Sequence, residues 1–273
     1  MTVRVALIQM VSSKMVPKSL SSAQRLIEDV LPERPDAIFL PENFAALAAD
    51  SPLNVATGEA DAIRQFVADV ARESGAWTFG GTLPLAYRPD GIRVPGDRVR
   101  AASLVCDPAG REVARYDKIH MFDVDVSDTQ GRYRESDTFE AGEQVVDVMT
   151  PFGRVGLSVC YDIRFPELYR ELFQREVEFV TIPSAFTEVT GEAHFELLMR
   201  ARAVENSCFT IAACQGGVHD SGRRTWGHSM VVSPWGKILG ELGRGEDVLV
   251  LDLETDELAD LRSRMPFRQQ RRL

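Results

Sequence analysis

Cysteine is scarce in this sequence. Four occur in 273 residues, Cys106, Cys160, Cys208 and Cys214, and no two form a Cys-x-x-Cys pair. Zinc-knuckle and thioredoxin-like readings therefore have no support, and in a reducing cytosol no disulfide is expected. Histidine is equally scarce. His120, His194, His219 and His228 are scattered, with no His-Glu-x-x-His run, so the sequence points to no metal. Basic charge is short as well: 31 Lys and Arg stand against 41 Asp and Glu, a net charge of −10. That disfavours nucleic acid and anionic membranes as partners, because both need a basic surface. The terminal "RQQRRL" reads as a solvated tail. No apolar run reaches the roughly 20 residues of a membrane span. The start, "MTVRVALIQM", has neither a long apolar region nor a small-residue cleavage site, and the reading places the protein in the cytoplasm. Linkers, low-complexity tracts and solenoid repeats are also missing. Residues 1–273 read as a single domain, and 44% hydrophobic residues suffice for its core.

What is present is an alternation of apolar strands and amphipathic helices. Strand-like runs lie at 3–10, 36–40, 76–83, 154–160, 178–183 and 208–214. Apolar residues at helical spacing predict helices over 20–31, 60–74, 166–176 and 193–206, with Gly75 as a C-terminal cap. Two hairpins interrupt the pattern. One folds at Asp107-Pro108-Ala109-Gly110 within 99–117, the other at Ser233-Pro234-Trp235-Gly236 within 228–242. Such a mixture implies an α/β fold with mixed rather than purely parallel sheets.

Three strands end alike. They run into Pro41-Glu42-Asn43, into Cys160-Tyr161-Asp162 and into Pro183-Ser184-Ala185. In open α/β sheets ligands bind beyond the carboxyl ends of strands, so Glu42 and Cys160 stand where functional groups are displayed. In the strand before Cys160, Val155, Leu157 and Val159 point one way, and Gly156, Ser158 and Cys160 the other. The second set is small, which leaves room either for a neighbouring layer or for a substrate. Pro166 suits the first turn of a helix, and a thiol at a strand-to-helix turn can feel backbone N–H groups. Alone, Cys160 reads more readily as a small buried hydrophobe. Glu42 and Lys118 alone read as surface residues. A thiol hydrolase needs a nucleophile, a base and a group for the oxyanion. No histidine here carries a signature for the base, so a glutamate with a lysine partner is the natural substitute.

"LPENF" with Glu42, "YDKIHMFDVD" with Lys118 and "GLSVCYDIRFPELYR" with Cys160 together resemble the nitrilase superfamily of carbon–nitrogen hydrolases. Further matches are "ESDTFEAGE" (135–143), "IPSAFTEVTGEAHFELLMRARAVEN" (182–206) and "WGHSMVVSPWGKIL" (226–239). The resemblance spans nearly the whole chain. It is strongest to the amidase branch containing omega-amidase and deaminated glutathione amidase. It implies an α-β-β-α sandwich, a homodimer, no cofactor and no metal. It also implies Glu42 as general base, Lys118 as oxyanion stabiliser, Cys160 as nucleophile and Glu135 as an additional active-site glutamate. One segment departs from the family: "VSDTQGRYR" (126–134) replaces a Pro-Gly-containing loop and bears on substrate choice.

The function implied is hydrolysis of a primary amide of a small carboxylic or 2-oxo acid, deaminated glutathione-like, to acid and ammonia. Water completes the reaction through a thioester. The backbone N–H of Tyr161 is the second oxyanion donor. Alternatives are an omega-amidase acting on α-ketoglutaramate or α-ketosuccinamate, and an N-carbamoyl hydrolase. From a different class comes a catalytically silent oligomeric scaffold. Arg164 and Arg200 are candidates to meet a substrate anion, with structural ion pairing the favoured reading for both. Phe122, Phe186 and Phe195 are candidates for the pocket wall, with core packing favoured for each. His228 reads as structural, and Asp162 as a turn residue.

Overall fold

The first strand, Thr2–Gln9, is buried on both faces. Val3, Val5 and Leu7 enter one apolar cluster, Ala6 and Ile8 another. A strand with two apolar faces needs a layer on each side. A computed structural model of the chain describes residues 1–128 and 130–272 and supplies both layers.

Among the described residues there are two large sheets. The first runs in the order Asp247–Glu254, Thr2–Gln9, Ala37–Phe39, Trp77–Phe79, Arg100–Cys106, Leu83–Leu85, with Glu112–Asp117 also paired to Arg100–Cys106. The second runs Ile238–Glu241, Met230–Val232, Phe209–Ala212, Phe179–Thr181, Gly153–Leu157, Asp147–Thr150. Each has three parallel strands at its centre and antiparallel strands outside. The sheets face each other through one cluster that joins Val5, Leu7 and Phe39 to Leu157, Phe179 and Ile211. The outer face of the first sheet is covered by helices Val16–Val30 and Ala60–Ser74, through Ala23, Ile27, Ile63 and Val67. Helices Pro166–Gln174 and Glu188–Asn206 cover the second through Leu172, Phe195 and Met199. The architecture is an α-β-β-α sandwich with mixed sheets.

Local chemistry sets the boundaries. Gly75 takes a left-handed φ of 67° and closes the helix before it. Thr187 caps the helix Glu188–Asn206 by accepting from the Thr190 N–H, so this helix starts five residues before the expected 193. The strand expected over 76–83 is two strands, Trp77–Phe79 and Leu83–Leu85. Gly81 breaks it with φ 51°, and a Cβ there would overlap the Pro41 carbonyl. This close approach holds the Pro41-Glu42 turn against the neighbouring strand end.

Two short hairpins complete the rim, Asp123–Asp125 with Arg132–Arg134 and Gly216–Val218 with Arg224–Trp226. The first takes in the segment 126–134. There Val126 N–H donates to the Gly131 carbonyl at 2.9 Å, and Tyr133 donates its hydroxyl to Asp128 at 2.7 Å. Residue 129 of that segment, like Leu273 of the tail, lies outside the described residues.

Candidate active site

Strands Ala37–Phe39 and Gly153–Leu157 belong to different sheets, and their carboxyl ends meet at one rim. Beyond the second, Ser158 and Val159 continue extended, and the chain then turns at Cys160 with φ 46°. A left-handed backbone at a residue bearing a Cβ is strained and must be held by its surroundings. Cys160 N–H donates to the Pro183 carbonyl at 3.0 Å. Asp162, fully buried, accepts from Val159 N–H at 2.8 Å, closing the turn Cys160–Arg164. Its carboxylate also accepts from the Tyr116 hydroxyl at 2.7 Å and from His120 N–H at 3.0 Å, and it meets His120 Nδ1 at 2.7 Å. Tyr116 and His120 flank Lys118. Asp162 therefore clamps the lysine segment to the cysteine turn, and is far more than the turn residue the sequence suggests.

The small face of the strand before Cys160 is occupied. A Cβ on Gly156 would press on Leu172, and Ser158 Oγ lies 2.8 Å from the Tyr169 hydroxyl. The helix Pro166–Gln174 fills that space, which settles the open question in favour of a neighbouring layer. At Cys160 the positive φ breaks the strand's alternation, and the residue lines the rim cavity with Glu42 and Lys118.

Lys118 is almost wholly buried, at 2% exposure. Its ammonium lies 2.8 Å from Glu42 Oε1 and faces both oxygens of Glu135, at 2.9 and 2.8 Å. The second Glu42 oxygen accepts from Ala185 N–H at 2.8 Å, and Gln215 donates to the Glu42 carbonyl at 3.0 Å. Glu135 begins the turn Glu135–Asp137 and also accepts from Phe122 N–H at 2.6 Å. Two carboxylates share one ammonium away from water, an arrangement stable only with each lone pair satisfied.

Electrostatics follows from this packing. Burial, then the negative charge of Glu42, pushes the Cys160 thiol well above its ordinary value, while Lys118 and the Ala185 N–H work in the opposite sense. Burial alone would lower Lys118. Glu135 and Glu42 more than offset it and hold the ammonium well above the usual lysine value. Glu135 is raised by burial, against the pull of Lys118. The resting site thus holds a neutral thiol beside an ammonium that keeps its proton.

Glu42, Lys118, Glu135, Cys160 and Tyr161 line one cavity of about 310 Å³. Phe122 and Phe186 line it too, whereas Phe195 sits behind Phe186 in the core, ring centroids 5.0 Å apart. Tyr161 is the second residue of its turn, so no acceptor within the turn faces its N–H. Arg200 makes the expected ion pair, 3.1 Å to Glu196. Arg164 does not: its guanidinium lies 3.3 Å from His194 Nδ1 and over the rings of Tyr161 and Phe186, and it meets no carboxylate among the described residues. His228 bonds Glu241 at 2.7 Å and stacks on Trp226. The other thiols are buried elsewhere, and burial pushes Cys106 up to about 11 and Cys208 up to about 12. Among the described residues no group of three His, Cys, Asp or Glu is placed to hold a metal, and no helix is long and apolar enough to cross a membrane.

Gln215 and Arg223 are the contributors that sequence reasoning misses. The strand-end rule reaches Ala185 and Asp162 as positions but gives neither the role its contacts show. Gln215 and Arg223 declare themselves only through partners distant in sequence.

A buried thiol, a carboxylate able to take its proton and a fixed ammonium at one cavity wall form a machine for acyl transfer. The family model of carbon-nitrogen hydrolases matches residues 4–263, and the chain belongs to that family, a hydrolase of carbon–nitrogen bonds. It is 42% identical over 270 residues to the deaminated glutathione amidase of Yersinia enterocolitica, covering 98% of this chain and 92% of that protein. It is 31% identical to omega-amidase NIT2 of Danio rerio, covering 98% and 94%. Among solved structures, Saccharomyces cerevisiae Nit3, a member of branch 10 of the nitrilase superfamily, superposes with a TM-score of 0.85 at 29% identity, covering 100% of this chain and 97% of that one.

Proposed function

We propose that the protein is a cysteine-dependent amidase. It hydrolyses the amide of a small carboxylic or 2-oxo acid of the deaminated glutathione type. The observation that carries this reading is the ammonium of Lys118, pinned by Glu42 and Glu135 at the wall that also holds Cys160.

Cys160 is the nucleophile and Glu42 the general base. Because the thiol rests neutral, its proton passes to Glu42 as sulfur attacks the amide carbonyl. The oxyanion of the tetrahedral intermediate is held by the Lys118 ammonium and by the N–H of Tyr161. Glu42 returns the proton to the departing nitrogen, and ammonia leaves from a primary amide. Water, deprotonated by the same carboxylate, opens the thioester and restores Cys160. Glu135 keeps Lys118 in place while Glu42 changes charge. No metal or organic cofactor enters the scheme.

Residues 1–273 act as one domain in this reading: Thr255 N–H donates to the Met1 carbonyl, and the strand after residue 246 pairs with the first strand, tying the two ends together. A homodimer is supported by exposed Leu197, Val204 and Trp235, an apolar patch where the Trp235-Gly236 turn lies against the helix Glu188–Asn206. Four free, buried cysteines suit a reducing compartment, and the cytoplasm is our assignment. The higher identity to a deaminated glutathione amidase favours that substrate type over an omega-amidase.

The test is a panel of amides, N-carbamoyl compounds and nitriles with product release as readout. Amide turnover with none on nitriles is expected. Turnover of nitriles alone, or of nothing while the folded protein resists iodoacetamide at Cys160, contradicts the proposal.

A further inference from the structure

The charged side chains at the cavity wall are Glu42, Asp50, Glu135, Lys118, Arg134 and Arg223. Lys118 is paired with the two glutamates and is assigned to the oxyanion. Arg134 is committed to Asp125 at 3.0 Å and to the carbonyls of Val124 and Tyr133 at 3.0 and 2.6 Å. Arg223 differs. Its Nη2 donates to the Ala185 carbonyl at 3.1 Å, and its guanidinium lies over the Tyr133 ring, 5.5 Å from the centroid. Among the described residues its buried Nε–H has no partner. Among the described residues no carboxylate pairs with it. A guanidinium offers five N–H donors, and a buried donor left unmade costs free energy that an arriving acceptor restores.

We propose that Arg223 is the anion subsite of this cavity and receives a substrate carboxylate remote from the scissile amide. This rests on the amidase reading above, which already gives the substrate an acid group, and assigns the residue that receives it. Arg223 sits on the rim hairpin between Gly216–Val218 and Arg224–Trp226, and its partner Ala185 is also the residue whose N–H holds Glu42. A carboxylate bound there is anchored to the backbone segment that positions the base. In a chain of net charge −10, one unpaired guanidinium at the wall selects for an anion at that place. The neutral aromatic walls, Phe122 and Phe186, take the carbon chain between the two polar ends.

The test compares glutaramate, an amide with a free carboxylate, with pentanamide, its uncharged counterpart of equal length. The wild-type protein should prefer glutaramate in kcat/KM. Arg223→Gln should lower the glutaramate-to-pentanamide ratio by about 10- to 100-fold, the range for a lost charge-assisted hydrogen bond, with the loss in KM. A purely structural arginine would lower both substrates alike. An unchanged ratio overturns the proposal. A second measurement needs neither turnover nor a variant: phenylglyoxal modification of wild-type Arg223, mapped by peptide mass, with and without glutarate. Glutarate should slow modification at Arg223, and equal rates overturn the assignment. If neither amide is turned over yet glutarate protects Arg223, the amidase reading fails and the anion subsite stands.

Discussion

Replacing Asp162 by asparagine preserves the size of a fully buried side chain and removes its charge. The native carboxylate accepts from Val159 N–H, the Tyr116 hydroxyl and His120 N–H, and meets His120 Nδ1. An asparagine amide has one acceptor oxygen and one donor group, so its NH₂ faces either Val159 N–H and the Tyr116 hydroxyl or His120 N–H and Nδ1, and one backbone N–H loses its acceptor either way. One buried donor left without an acceptor costs about 1–3 kcal/mol, and the charge assistance on the remaining bonds is lost as well. The expected destabilisation is about 3 kcal/mol. For a chain of this length that lowers the melting temperature by about 5 °C. The larger effect falls on turnover. Asp162 ties the turn bearing Cys160 to the segment bearing Lys118, and a displacement on the order of 1 Å between reacting groups costs about 100-fold in rate. The assays are differential scanning calorimetry and steady-state amide hydrolysis on the same preparation. Asp162→Asn with a wild-type melting temperature and wild-type kcat would refute the clamp.

Other outcomes follow from the same geometry. The Cys160 thiol is held above its ordinary value, so it stays protonated as pH rises through neutrality. The 240 nm absorbance that Cys160→Ala removes should therefore show no thiolate step between about pH 6 and 9, and a step near pH 7 would contradict the electrostatics. Gly81→Ala combines a left-handed φ with overlap on the Pro41 carbonyl. It should cost about 3 kcal/mol in a denaturant titration, more than an exposed substitution. Tyr161→Phe should leave kcat within about threefold, because only the backbone N–H is used at that position; a loss of 100-fold would assign the hydroxyl a role.

Much of the architecture was legible because periodicity encodes it. The helix over 60–74 and its Gly75 cap were read to the residue, and both interior hairpins were placed by their Asp-Pro and Ser-Pro turns. The strand-end rule places Glu42 and Cys160 where functional groups are displayed, and both line one cavity. What was illegible depends on contacts distant in sequence. The strand Asp247–Glu254 exists as a partner of Thr2–Gln9, and the sequence pattern assigns no strand or helix after residue 242. Asp162 owes its importance to Tyr116 and His120, more than forty residues upstream. The alternation that placed Cys160 beside Gly156 and Ser158 stops where φ changes sign, and no residue pattern announces a strained non-glycine turn. For Arg164 the sequence favours an ion pair, because buried arginines usually find carboxylates, yet its neighbours are a histidine and two aromatic rings.

The most direct test of the central claim is intact-protein mass spectrometry of the enzyme quenched in acid during amide turnover, on wild type and Cys160→Ala in parallel. The account predicts a wild-type adduct equal to the acyl group, mapped to Cys160 and removed by hydroxylamine, with no adduct and a turnover loss of at least about 10⁴-fold in Cys160→Ala. Undiminished amide turnover by Cys160→Ala would contradict it.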